Sequence, residues 1–505
     1  MRRRKTVKSI EKKHQLHIPL WLGFVLVAVL ILRIPSLFEP YSYGDEMIYM
    51  ALGDGIQKGL VLYKDIHDNK PPLLYFTAAL ASNLFWFKGI LMLWMLGTVV
   101  GFWKLLKRLF PKNNALQKTA TVAFALLTTL PLLEGNIVNS ELFMIGMTIA
   151  ALLVLLRDNL TPKHLLLGGI LFSLGALFKI PAAFDVPVLF VYWFFTINAR
   201  GDTLGGFIKK VIWVSIGFFI PITITLIWYA SRGAFNQYFV AAYLQNVGYL
   251  SSFRPDDAQK SFLVKNGPLL FRAVFVSLFT LGLFLVRKKI SRGFLLASLW
   301  LIISLFAVTL SERPYPHYLI QSLPAISILI GILVASPKME QPFTVIPLFV
   351  ALFVPVYYKF YYYNTFAYYS RFVEFASGKL STEQYFAKFD GNVNRNYKVA
   401  QFLQNSSLPS DQVFVWGDSP PIYALSKRLP PIKYVAGYHI NDFSSQEEVL
   451  LSLAQSPPLY VVVLPDSPSF VALSPFLRQN YVHITTIEGA SVFKRVSKGI
   501  ISLFD

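Results

Sequence analysis

Long apolar runs that recur along the chain, a positive charge excess gathered on alternate loops, and a change of texture near residue 358 predict the fold class. It is a membrane all-α bundle of about eleven transmembrane helices followed by a soluble α/β domain. Of 505 residues, 54% are apolar and 15% charged, with 44 Phe and 26 Tyr, a composition that excludes an ordinary soluble enzyme. A bilayer crossing needs roughly 20 apolar residues. Runs able to supply it lie near 18–37, 89–106, 117–133, 141–156, 165–180, 183–198, 211–230, 269–286, 294–310, 318–335 and 342–358. The run from Leu73 to Phe87 is shorter, begins at Pro71-Pro72 and is followed by Lys88. It is expected to lie in the outer interface as a helical loop rather than to span. Two domains follow, 1–358 in the membrane and 359–505 outside it.

Lys and Arg number 47 against 27 Asp and Glu, a net charge of +20. With the N-terminus cytoplasmic, nearly all of that excess falls on one membrane face, in clusters such as Lys104/Lys107/Arg108/Lys112 and Arg287/Lys288/Lys289/Arg292. The basicity therefore needs no nucleic acid partner. The placement expected is a multi-pass protein of the cell (inner or plasma) membrane, surrounded by membrane lipids, with its C-terminal domain extracytoplasmic. The basic stretch Met1–Lys13 precedes the first run without a small-residue cleavage site behind it, which reads as an uncleaved first span. The absence of cysteine excludes disulfides, a thiol nucleophile and thiolate metal sites.

Beyond Tyr358 the chain turns polar with short apolar strands at Val413–Trp416, Tyr460–Leu464 and Tyr481–Thr486. Helices are expected at Arg395–Leu403, Pro421–Ser426 and Gln446–Ala454. No glycine-rich phosphate loop follows a strand, which argues against a nucleotide site. Lys359–Asn364 forms an aromatic belt at the interface.

The loop after the first run holds two pieces of chemistry. Asp45 and Glu46 open a helical stretch running to about Gln57, near the membrane surface, where partial desolvation can raise a carboxylate toward a useful base. Lys70 stands before Pro71-Pro72 and an apolar helix, which places a cation beside a helix N-terminus and makes a phosphate site. A plainer account stays open for each: Asp45 as an N-cap, Glu46 as a first-turn acid, Lys70 as a snorkelling anchor.

The pattern Gly44-Asp45-Glu46, followed by Tyr63-Lys-Asp-Ile-His67-Asp-Asn-Lys70-Pro71-Pro72-Leu73, resembles the first loop of GT-C-fold membrane glycosyltransferases. The nearest likeness is to bacterial relatives of protein O-mannosyltransferases and of lipid A aminoarabinose transferases. Asn136-Ile-Val-Asn139-Ser-Glu141, Phe178-Lys179-Ile-Pro181 and Arg313-Pro-Tyr-Pro-His317-Tyr318 extend it over most of residues 20–335. The resemblance implies a GT-C-like bundle and inverting transfer of a sugar from a polyprenyl-phosphate donor to a lipid, glycan or protein acceptor on the outer face. Asp45 would be the general base, Glu46 an assisting acid, and Lys70 the phosphate ligand with Lys179 or Arg313 as second cations. The β-trefoil insertion frequent in protein-modifying O-mannosyltransferases is not visible, which favours a lipid or glycan acceptor over a protein.

Other residues carry weaker signals. Glu141 opens the fourth span behind Asn139-Ser140, as a catalytic acid or as a helix N-terminal acid after a polar cap. Lys179 and Asp185 flank Pro181 and could pair at a broken helix end. His67 and His317 both face outward and could share a divalent metal with a carboxylate; they serve equally well as substrate contacts, with Tyr63 and Tyr318 beside them. Tyr238, Tyr243 and Tyr249, with Asn236, Gln237, Gln245 and Asn246, suit sugar faces and hydroxyls, or an aromatic interfacial helix. Two other functions compete with the enzyme. A transporter or flippase for a lipid-linked glycan would need mid-span charges, which are almost absent, and a non-catalytic envelope protein would only bind glycan.

Overall fold

The computed structural model describes residues 18–197, 202–248, 261–336 and 340–496. The basic segment Met1–Lys13 and Tyr249 lie outside them. Every apolar run is helical where described. In chain order the helices are α1 (Leu20–Arg33), α2 (Gly44–Gln57), α3 (Leu73–Ala81), α4 (Leu84–Leu109), α5 (Asn114–Leu127), α6 (Ser140–Leu155), α7 (Pro162–Phe178) and α8 (Asp185–Phe195). They continue with α9 (Leu204–Ser231), the short α10 (Phe235–Phe239) and α11 (Gln245–Gly248), α12 (Phe262–Val286), α13 (Arg292–Thr309), α14 (Leu323–Ala335) and α15 (Val345–Tyr357).

The crossings are uneven in length. Leu20–Phe38, α4, α9, α12, α13 and Pro316–Ala335 are long and apolar enough to cross a membrane alone, whereas α6, α7, Ile180–Phe195 and Pro342–Tyr357 are shorter. At about 1.5 Å per residue the 16-residue α6 covers about 24 Å, less than a hydrocarbon core of roughly 30 Å. This is a multi-pass membrane protein in which short helices share the interior with long ones.

Three expectations change. Leu73–Phe87 is not one interfacial helix: Ser82 turns left-handed at φ 63°, and Asn83 accepts a hydrogen bond from the Trp86 amide to start α4. Lys88 consequently lies inside a spanning helix instead of ahead of one. Charges within the apolar helices are also more frequent than expected, each with local partners. Arg33 donates to the Thr128 carbonyl at 2.8 Å. Asp185 accepts from Thr148 at 2.8 Å and Trp300 at 3.2 Å, so it is not the partner of Lys179.

After the spans come α16 (Thr365–Ala376), α17 (Thr382–Ala387), α18 (Val393–Ser406), β1 (Val413–Trp416), α19 (Pro420–Ser426), α20 (Gly437–Phe443), α21 (Gln446–Gln455), β2 (Tyr460–Val463), α22 (Leu473–Asn480), β3 (Tyr481–Ile487) and β4 (Ala490–Arg495). The sheet order is β1-β2-β4-β3, with β1 parallel to β2 and the other pairs antiparallel. The β4 strand escaped the sequence reading. A two-residue turn, Glu488-Gly489 with both φ positive, folds it back on β3, and such turns match the twist of a hairpin. This region packs on the first outer loop, where His67 donates its amide hydrogen to Lys433 and Tyr41 its own to the Tyr397 hydroxyl. One part of its apolar core, including Val399, Leu403, Val413 and Val462, is continuous with that of the bundle, while Phe414, Trp416, Val461 and Tyr481 belong to a separate cluster.

Two features hold the first outer loop. At Gly53 the α2 backbone lies so close to α3 that a Cβ would stand 2.7 Å from the Ala79 nitrogen. Behind α2, the Lys88 ammonium is buried between Glu39 and Glu46, 2.7 Å from each, and also donates to the Asn136 carbonyl. Glu46 additionally accepts from the Val138 amide at 2.6 Å. Burial is the largest influence on Glu46 and pushes it up to about 7; Lys88 opposes this, and Glu39 competes for the same cation.

Two outcomes follow. Gly53→Val should lower the melting temperature in detergent and the folded yield, by overpacking worth roughly 1–3 kcal/mol; a wild-type melting curve would contradict the close approach. Because the folded Glu46 holds its proton more tightly than its ordinary value of 4.5, its contribution to stability is present below that pH and lost as pH rises through about 7. Melting temperature should therefore fall across that window, and Glu46→Gln should flatten the slope.

Candidate functional site

The first turn of α2 sets the site. Its N-cap position is Tyr43, so Asp45 is not the cap but a first-turn residue whose carboxylate turns inward. It accepts from the Tyr49 hydroxyl at 2.9 Å, one turn along the helix, and lies 3.4 Å from the Lys70 ammonium. Lys70 also stands 3.7 Å from Asp68 and above the Tyr49 ring, so it points into the protein rather than snorkelling outward. The backbone that presents it is pinned from both sides: the Tyr63 hydroxyl donates to the Lys70 carbonyl at 2.7 Å, and the Asn246 amide donates to the Asn69 carbonyl at 2.8 Å.

Asp45 and Lys70 face a cavity of about 930 Å³ whose wall also carries Glu141, Lys179, Tyr243, Arg313, His317 and Tyr318. Glu141 is paired with Lys179, and Lys179 rests 3.9 Å from the centre of the Tyr318 ring. Asn139 occupies the N-cap position of α6, but its amide donates to Glu134 instead of capping the helix. The other side of the cavity is apolar, with Leu269 of α12 and Phe306, Ala307 and Val308 of α13. Charged and polar side chains and an apolar wall thus meet in one space.

The electrostatics correct one expectation. Burial would raise Asp45, yet Lys70, then His317, the Tyr49 hydrogen bond and Lys179 together outweigh it and hold the carboxyl at about 2. The raised carboxylate of the Asp45-Glu46 pair is Glu46, which lies behind the helix on Lys88, 1% exposed and outside the cavity wall. Tyr63 and His67 do not line the cavity either. Tyr63 is packed against Tyr229 and Tyr238, and His67 against Tyr434 and Phe443, where burial, the largest influence, lowers its imidazole to about 4. Both shape the loop that presents Lys70.

Several residues of the site had no local signal. Glu134, fully buried and left-handed at φ 60°, gathers three donors on its Oε2: His317 Nδ1 at 2.5 Å, the Tyr43 hydroxyl at 2.8 Å and the Asn139 amide at 2.9 Å. Helix α20 brings Tyr438, His439 and Asp442 to the cavity, with His439 Nε2 3.6 Å from Asp68. Each histidine named for a shared metal has its own setting, His317 on Glu134 and His67 beside His439. Among the described residues no group of three His, Asp or Glu side chains is arranged to hold a metal.

No protein-family model matches the sequence, and no curated protein matches it either. Solved structures do resemble the fold. The lipid A aminoarabinose transferase ArnT from Cupriavidus metallidurans bound to undecaprenyl phosphate superposes with a TM-score of 0.54 at 14% identity, covering 95% of this chain and 98% of that one. Its apo state gives the same score and identity over 94% and 98%. The oligosaccharyltransferase AglB from Archaeoglobus fulgidus, in complex with an inhibitory peptide and a dolichol-phosphate, is less similar, with a TM-score of 0.44 at 12% identity, covering 88% of this chain and 69% of that one. End-to-end coverage of ArnT, together with the helical bundle, the looped first helices and the C-terminal α/β region, identifies this chain as one with the GT-C fold of polytopic membrane glycosyltransferases.

Proposed function

We propose that this protein is an inverting membrane glycosyltransferase that moves a sugar from a polyprenyl-phosphate-linked donor to a hydroxyl of a lipid, glycan or protein acceptor on the outer face of the membrane. The observation that carries this reading is the Asp45–Lys70 contact in a cavity that is charged on one side and apolar on the other. A lipid phosphate needs cations for its head and an apolar wall for its chain. Lys70, Lys179 and Arg313 supply the first, and α12 and α13 the second. The undecaprenyl phosphate bound to the structurally similar ArnT supports a donor of that class.

The reaction places few demands on the protein. The acceptor oxygen attacks the anomeric carbon from the face opposite the phosphate. The bond from that carbon to the phosphate oxygen breaks with its electron pair on the oxygen, and the acceptor proton passes to Asp45. The leaving group, a polyprenyl phosphate monoester, calls for charge neutralisation more than for protonation, so one base and two or three cations are enough. Lys70 holds Asp45 ionised and weakly basic. A donor phosphate at Lys70 would divert that cation and make the carboxylate a stronger base once both substrates are in place. Tyr49 keeps the carboxylate oriented throughout.

The gathering of basic residues on alternate loops supports an orientation with the cavity and the C-terminal region on the outer face. Membranes carrying wild-type protein should form product from one of a panel of radiolabelled polyprenyl-phosphate sugars. Asp45→Asn should lower turnover by about 100-fold or more at equal protein level, the scale of a lost general base. Lys70→Ala should lower kcat/KM for the donor on the order of 100-fold. Equal turnover in all three would sink the assignment.

A further inference from the structure

A second cavity of about 360 Å³ lies on the far side of Tyr43 from the first. Tyr43 lines both; Gly44 lines the second and Asp45 the first, so a single backbone step separates them. The floor is polar and buried, and its rim is exposed at Gly44, Asn364 and Asp390.

Two hydrogen-bonding atoms on this wall are unused. Glu134 is 0% exposed; its Oε2 takes three donors and the Tyr363 hydroxyl lies beside the same carboxylate, but among the described residues its Oε1 has no hydrogen-bond partner. Arg371 holds one guanidinium nitrogen on the Lys388 carbonyl and stacks on Phe389, while its buried Nε has no partner. An orphan acceptor and an orphan donor on one wall match a group that both donates and accepts, which a sugar hydroxyl does. The charge is acidic: Glu39, Glu134 and Asp390 line the cavity, facing Arg371. Lys88 meets Glu39 from α4, and His317 meets Glu134 from the turn before α14. Asp390, at the rim, accepts from the Asn392 amide.

We propose that this cavity is a saccharide site that receives the acceptor as a glycan end bearing neutral hydroxyls or amines, in preference to a phosphorylated one. The acceptor role rests on the glycosyltransferase reading above; the saccharide chemistry of the cavity does not. Its hydroxyl reaches Asp45 across Gly44, where no atom lies within 4 Å of the position a Cβ would take. A side chain there would obstruct the passage without disturbing the helix behind it.

The test is direct binding to the full chain in detergent with undecaprenyl phosphate present, using methyl α-glucoside, methyl α-glucosaminide and glucose 6-phosphate as probes. The first two should bind about tenfold or more tightly than the third, since like charges brought together are costly. Asp390→Lys should narrow that gap, and Gly44→Leu should weaken glycoside binding about tenfold while keeping the wild-type melting temperature and undecaprenyl phosphate binding. Tighter binding of glucose 6-phosphate, or wild-type glycoside binding by Gly44→Leu, would overturn the proposal. Glycoside binding that follows these expectations in a protein inert toward every donor would uphold the saccharide site and refute the transfer reading alone.

Discussion

One buried ammonium organises the outer half of this molecule. Lys88 sits in the first turns of α4 with a carboxylate from the end of the first span on one side and a carboxylate of α2 on the other, and it reaches the backbone before α6 as well. Each charge alone would be prohibitively costly to bury; together they fix three chain segments relative to one another, because none can move without stranding a charge. Tyr368 and Asn136 complete the arrangement by donating to Glu39. The orientation of α2, and with it the direction of Asp45, depends on this cluster.

The same cluster explains why neighbouring acids have different fates. On a helix, successive residues point about 100° apart, so Asp45 and Glu46 cannot both face the cavity. Adjacent letters in the sequence look like a pair, whereas in the fold one faces the large cavity and the other is a buried partner of Lys88. The spanning runs and the Asp45 to Lys70 stretch were legible because their signals are local: apolar length in one case, a short loop with proline and charge in the other. Glu134, Lys88 and His439 were not, since their significance lies in partners 183, 49 and 371 residues away, respectively. The C-terminal sheet was legible except for β4, whose apolar residues are interrupted by Ser491 and Lys494 and are recognisable only once β2 lies beside them.

The pairing of Asp45 with Lys70 also keeps two charges of opposite sign satisfied on one wall of the cavity. A carboxylate held at low basicity by its neighbouring cation is a poor base toward water, and the cation is held ready for an anion at the same time. Preorganisation of this kind costs little when substrate arrives, because the groups exchange one opposite charge for another instead of being stripped of solvent.

The cavity wall contributed by α20 bears on how the protein is made. Tyr438, His439 and Asp442 are synthesised long after the last apolar helix, yet they close a space whose other walls are complete by Gln321. A nascent chain therefore passes through a stage in which every apolar helix has been translated and the cavity still lacks a side. Domains fold largely as units, the earlier before the later. Closure of the cavity then comes with this late segment and not with insertion, so a chain stalled before α20 would sit in the membrane with the cavity open on that side.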